Sequence, residues 1–240
     1  MLPPIGCEYL SPDEVHEIIA GLPPGTTIQL APIHKDFMCR EPGSISPPGS
    51  CTVSMPPGTC EAAGGSLAGT VDCSPTTAEF ELTGTGDLAG FHRIVSVPLQ
   101  MEVHAAPRTA GAPIQSFDTA MMFLQGQLPP GDPDFDLLRI TGGQFHGMPS
   151  PGHTTLTLRP SGKYEVDSFF DITYRIDFIG APGGPLAGSS GSTTGTIRME
   201  TGSTSAVPAV PKPSLTLVGL ILLAGAALFI PRLRRKAASA

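Results

Sequence analysis

The chain has 240 residues, of which 29 are glycine and 27 proline, so close to a quarter of its positions interrupt helices. Hydrophobic residues make up 40% and charged ones 15%, a balance that excludes both a mostly helical protein and a fully disordered one. Four of the 14 basic residues, Arg232, Arg234, Arg235 and Lys236, cluster near the C-terminus, leaving ten basic against 21 acidic residues before them, a net of −11. So acidic a surface repels phosphate backbones, which excludes nucleic acid as a partner.

The first element in chain order reads as a helix. Ser11-Pro12-Asp13-Glu14 forms a capping box with Pro12 at the first helical position. Leu10 and Val15 stand at the staple positions and Gly21 supplies a stop, so the pattern predicts a helix over 12–20. His16 on it reads as a surface side chain, because neither His nor Cys stands four residues away. Thr27 to Leu30 predicts a short strand. Cys7, Cys39, Cys51, Cys60 and Cys73 all lie in the first third and form no C-x-x-C pair, which argues against zinc-ribbon and thioredoxin readings. Five is an odd number, so at least one thiol has no partner within the chain. Residues 38–75 carry four of these cysteines and repeated Pro-Pro-Gly steps, and read as a disulfide-stapled or loosely ordered insertion. Residues 1–75 are therefore expected as a helix followed by this segment.

From residue 76 the hydrophobic period becomes two. Ala78, Phe80 and Leu82 alternate with polar neighbours, as do Val95, Val97, Leu99, Met101 and Val103. Phe170, Ile172, Tyr174, Ile176 and Phe178 repeat the pattern. Such alternation predicts antiparallel strands with one buried and one wet face. Pro98 falls on the polar side and marks an edge or a bulge. Shorter strands are expected at 117–124, 136–141, 154–159 and 195–200. Gly-rich turns separate the strands at spacings typical of an all-β sandwich or barrel, and the fold expected is mainly β: an antiparallel β-sandwich over 76–200, which related three-stranded units at 76–125 and 153–200 would build by duplication. One short N-terminal helix and one C-terminal transmembrane helix complete it.

Residues 201–213 read as a linker and Leu215 to Ile230 as an uncharged apolar run, expected within a transmembrane helix over 214–231. The basic cluster in 232–240 then marks the cytoplasmic side and places the body outside. Val210-Pro211-Lys212-Pro213-Ser214, the apolar run and the basic tail together resemble the PEP-CTERM sorting signal of Gram-negative bacteria. Pro211 and Pro213 match its two prolines, while Lys212 stands where that signal has Glu. The resemblance implies processing by an exosortase-type enzyme and delivery to the cell surface or the extracellular matrix. Its sorting residues would be Val210, Pro211, Pro213, Arg232, Arg234, Arg235 and Lys236. It covers about 30 residues and says nothing about the body. Met1-Leu-Pro-Pro-Ile-Gly-Cys7 has no basic segment followed by an apolar one, so the same reading expects a signal peptide encoded upstream.

Catalytic and cofactor motifs are weak. Gly84-Thr-Gly86-Asp-Leu-Ala89 matches a dinucleotide fingerprint, but a strand pattern follows it where the mechanism needs a helix, so it reads as a hairpin turn. No serine fits the nucleophile elbow, Ser189 and Ser190 included. Asp132, Asp134 and Asp136 alternate as calcium ligands can, yet an EF-hand loop counted from Asp132 fails at Leu137 and Gly143, and an ordinary turn opening a strand is the plainer reading. Asp171 and Arg175 read as solubilising, cross-strand pairing groups. His92, His104, His146 and His153 show no metal spacing, although His146 and His153 flank one loop. The absence of Trp leaves a poor platform for stacking sugars. No cofactor or metal is expected. Two functions follow: a displayed, non-enzymatic surface β protein of unassigned ligand, or a secreted hydrolase or lyase working through carboxylates and histidines of the β domain.

Overall fold

The computed structural model describes residues 8–11, 16–37, 61–109, 111–201 and 206–208. Twelve strands run through them: β1 (Tyr9–Leu10), β2 (His16–Ile18), β3 (Ile28–Lys35), β4 (Glu61–Gly64), β5 (Gly69–Gly84), β6 (His92–Ala105), β7 (Ile114–Gln127), β8 (Phe135–Gly142), β9 (Pro151–Leu158), β10 (Lys163–Gly180), β11 (Ser190–Thr201) and β12 (Ala206–Pro208). The helical pieces among the described residues are two 3-10 turns, Gly86–Leu88 and Gln144–His146. The described part of the protein is thus mainly antiparallel β with almost no helix, as the alternating patterns require. No helix among the described residues is long and apolar enough to cross a membrane, and the expected transmembrane helix, 214–231, lies outside them.

The ladders run β3-β1-β11-β10-β8-β7-β6-β5 and return through a β5–β3 pairing, so the sheet closes on itself as a barrel. The expected sandwich would need two separately bonded sheets. Alternation could not tell these apart, because both place one face inside and one in water. Strand length decides it. β5, with 16 residues, bonds β4 along 69–72 and β3 along 77–84 on one side, and β6 on the other. β10, with 18, bonds β9 along 164–170 and β8 along 174–180. β8 and β9 thereby share one position in the ring between β7 and β10, which joins the two expected three-stranded units into one sheet.

The predicted helix 12–20 is corrected over its described part: His16 to Ile18 is a strand, paired His16↔Leu30 and Ile18↔Ile28, and residues 12–15 lie outside the described residues. A helix this short is marginal alone, and the ladder with burial of Ile18 at 1% exposure outweighs its cap. Gly21, read as a helix stop, has φ +86°, and a Cβ there would stand 1.9 Å from the Ser190 carbonyl oxygen. It is glycine because the segment after β2 lies against the start of β11. The boundary expected at 75/76 falls inside β5, and residues 61–75, read as part of a disulfide-stapled or loosely ordered insertion, form β4, its turn and the first part of β5.

Inside the ring, the alternating side chains of β6 and β10 form the core as their pattern predicts; Val97 and Phe178 are fully buried. The G-x-G-x-x-A segment is the β5–β6 connection, with Thr83 paired to His92. Pro98 sits where the β6–β7 ladder stops, just before Leu99↔Gly126, so its missing N–H costs no ladder bond on that side.

Candidate functional site

The acidic cluster is occupied by a cation of the chain itself. Arg93 on β6 donates from Nη1 to Asp132 Oδ1 at 2.7 Å and from Nη2 to Asp132 Oδ2 at 2.5 Å, and also pairs with Asp134. Asp132 Oδ1 accepts the N–H groups of Asp134 and Phe135 as well, which shapes the turn into β8. Burial works to raise the Asp132 carboxyl, but these hydrogen bonds outweigh it and hold the group below its ordinary value. Asp136 is exposed. The described residues contain no cluster of three or more His, Cys, Asp or Glu able to hold a metal ion. Asp171 accepts a bidentate pair from its cross-strand partner Arg198, as expected, whereas Arg175 pairs along its own strand with Asp177 and not across strands.

The histidines go to different neighbours. His146 packs its ring against Phe123 with centroids 5.0 Å apart, and burial lowers its pKa. His153 on β9 faces Asp118 and Ser116 on β7: Nδ1 lies 2.9 Å from Asp118 Oδ1 and Nε2 2.7 Å from Ser116 Oγ. This serine–histidine–aspartate set follows from strand register, since Asp118 pairs directly with His153. It lies open to solvent, with the Asp118 side chain 78% exposed. His16 meets Tyr174 through Nδ1 and an edge-on ring contact of 5.3 Å, so it is a cavity-lining side chain and not the solvated one expected.

The barrel interior holds two small cavities of about 50 and 60 Å³, which share His34, Ile172 and Met199 in their linings. The first is edged by Asp72 and Arg108, with the guanidinium 5.2 Å from the centre of the Phe117 ring. His34 sits between them with Nε2 2.7 Å from Thr76 Oγ1, and burial lowers its pKa to about 4, so the ring is neutral. Such spaces fit water or a few apolar atoms.

A second polar site lies on the outer side of the barrel wall. Glu102 and His104 occupy the face of β6 that alternation assigns to water, yet they are 0% and 2% exposed. His104 is covered where the Gly64–Gly69 turn folds back over β6. His104 Nε2 is 2.7 Å from Glu102 Oε1, while Nδ1 accepts the Ser66 N–H at 2.9 Å and lies 2.8 Å from Ser66 Oγ. Gly65, with φ +85°, permits this approach: a Cβ there would stand 3.2 Å from Nδ1 and 2.8 Å from Val71 Cγ2. The sequence signal was slight, an acid and a histidine two apart on one strand face with Gly-Gly-Ser upstream.

The sorting residues Val210, Pro211, Pro213, Arg232, Arg234, Arg235 and Lys236 lie outside the described residues. Cys73 is disulfide-bonded, and the other four cysteines also lie outside them. No family model, no curated protein and no solved structure matches this chain.

Proposed function

We propose that the protein is an exported β-barrel, held at the membrane through residues 215–230 and then sorted to the cell surface or the extracellular matrix by an exosortase-type enzyme acting at Val210-Pro211-Lys212-Pro213. The observation that carries this reading is the three-part order of proline motif, uncharged run and the cluster Arg232, Arg234, Arg235 and Lys236. The disulfide at Cys73 supports it, since such bonds persist in oxidising compartments. The cavities inside the barrel, about 50 and 60 Å³, are far smaller than a sugar or nucleotide site, so recognition of a large ligand falls to the acidic outer surface. The carboxylates of the alternative hydrolase reading, Asp132 and Asp134, are spent on Arg93.

The test places the chain behind a cleavable export signal in a bacterium that has an exosortase. The body is expected in the envelope or medium, shortened at its C-terminus. Pro211→Ala with Pro213→Ala should leave an uncleaved, membrane-held form, and replacing the four basic residues by Gln should weaken membrane retention before cleavage. A body that stays full-length with both prolines intact overturns the sorting reading.

A further inference from the structure

The geometry points to an acyl-transfer site at Ser66, with His104 as general base and Glu102 as the residue that positions it. Three observations converge. Ser66 is exposed, while the two groups behind it are buried almost completely. A backbone N–H can only donate, so the Ser66 N–H on Nδ1 makes that nitrogen the acceptor and leaves the ring hydrogen on Nε2, donated to Glu102. Ser66 Oγ stands 2.8 Å from the same nitrogen, so its hydroxyl shares that single lone pair with the Ser66 N–H. This is the nucleophile, base and orienter order of acyl-transfer enzymes, with the two ring nitrogens exchanged. In the turn that presents the serine, Gly64 and Gly65 take positive φ freely, at 119° and 85°, while Ala68 is held in the left-handed region at 62°, which a non-glycine residue rarely adopts.

The surface set Ser116, His153 and Asp118 supplies the contrast. It has comparable distances, but water competes for its carboxylate, whose side chain is 78% exposed, and weakens the pairing. Glu102, at 0% exposure, is out of reach of bulk water. Phe145, an exposed ring 6.4 Å from the His104 ring centre, offers an apolar surface beside the site. The substrate class is accordingly a small ester with an apolar acyl group.

In the first half-reaction the Ser66 Oγ–C bond forms as the hydroxyl proton passes to His104 Nδ1. That proton displaces the Ser66 N–H from Nδ1 and frees it to donate to the oxyanion. The C–O bond to the leaving alkoxide then breaks, and the alkoxide takes the proton from Nδ1 and departs as an alcohol. Water repeats the sequence on the acyl-serine and releases a carboxylic acid. The site goes beyond the display reading and stands or falls independently of export.

The probes are diisopropyl fluorophosphate and p-nitrophenyl acetate, applied to the purified full chain. Peptide mass mapping should find the phosphoryl adduct on Ser66 and not on Ser116. Ser66→Ala and His104→Gln should each lower ester turnover by about 100-fold, the scale of a lost general base or nucleophile. Glu102→Gln should lower kcat with KM unchanged, a split that a loosened turn alone would not give. Labelling of Ser66 no faster than Ser116 in folded protein overturns the proposal. Should His104→Gln fail to fold, Ser66→Ala decides, since its side chain is exposed, and undiminished turnover there overturns the site equally.

Discussion

Arg93, near the start of β6, takes both carboxylate oxygens of Asp132 on the loop before β8, at 2.7 and 2.5 Å. This pair closes the wall of the barrel beyond the point where the β6–β7 ladder has ended. Arg93→Ala leaves two neighbouring carboxylates without their cation and should cost about 2 kcal/mol in urea unfolding. The sign with pH follows from the lowered Asp132 carboxyl: its contribution is present above the ordinary value of 3.8 and is lost as pH falls below that. Unfolding curves taken from pH 5 downward should therefore decline less steeply in Arg93→Ala than in the wild type.

His34 gives a dependence in a different window. The ring is neutral when folded, its pKa lowered to about 4 by burial, against 6.5 when unfolded. The unfolded chain binds more protons between these values, so stability is full above 6.5 and falls as pH drops toward 4. The loss should be on the order of 3 kcal/mol. In His34→Gln the slope over this window should largely disappear, and a slope unchanged in that variant would exclude His34 as its source.

At Gly21 a side chain has no room. Gly21→Ala adds both positive-φ strain and an overlap with the Ser190 carbonyl, and should cost about 3 kcal/mol. Thermal melting checks this, with Gly25→Ala as the companion variant. Gly25 shares the positive φ but has nothing within 4 Å of an added Cβ, so it should lose less.

Cys73 should react with iodoacetamide only after reduction, because it is disulfide-bonded. Cys73→Ser should cost about 2–4 kcal/mol, the usual range for a native bridge. Alkylation of Cys73 in the unreduced, folded chain would contradict the bridge.

The strands were legible wherever a side chain's neighbours in sequence decide its burial. Phe170 to Phe178 alternate, and β10 buries that set. β2 was not legible, because its partners at 28–30 lie beyond a turn, and the local cap at Ser11 points to a helix that the ladder overrules. Ring closure was hidden for the same reason, since no local pattern couples Tyr9 to Thr201. By alternation His104 belongs to a wet strand face; its cover comes from the turn at 64–68, more than thirty residues away in sequence. The sorting residues carry their information in sequence order alone.

Closure through β1 has a consequence for how the chain folds. Tyr9 pairs with both Thr201 and His34, so the stave that seals the barrel joins residues from opposite ends of the described chain. The ring is incomplete until β11 is available, and until then β1 and β10 each keep an unsatisfied backbone edge. Such long-range pairing makes for slow assembly, in the millisecond-to-second range typical of non-local β topologies. A chain delivered from one end waits as an open, adhesive sheet, and the moment of its greatest exposure to aggregation comes just before its last long strand arrives.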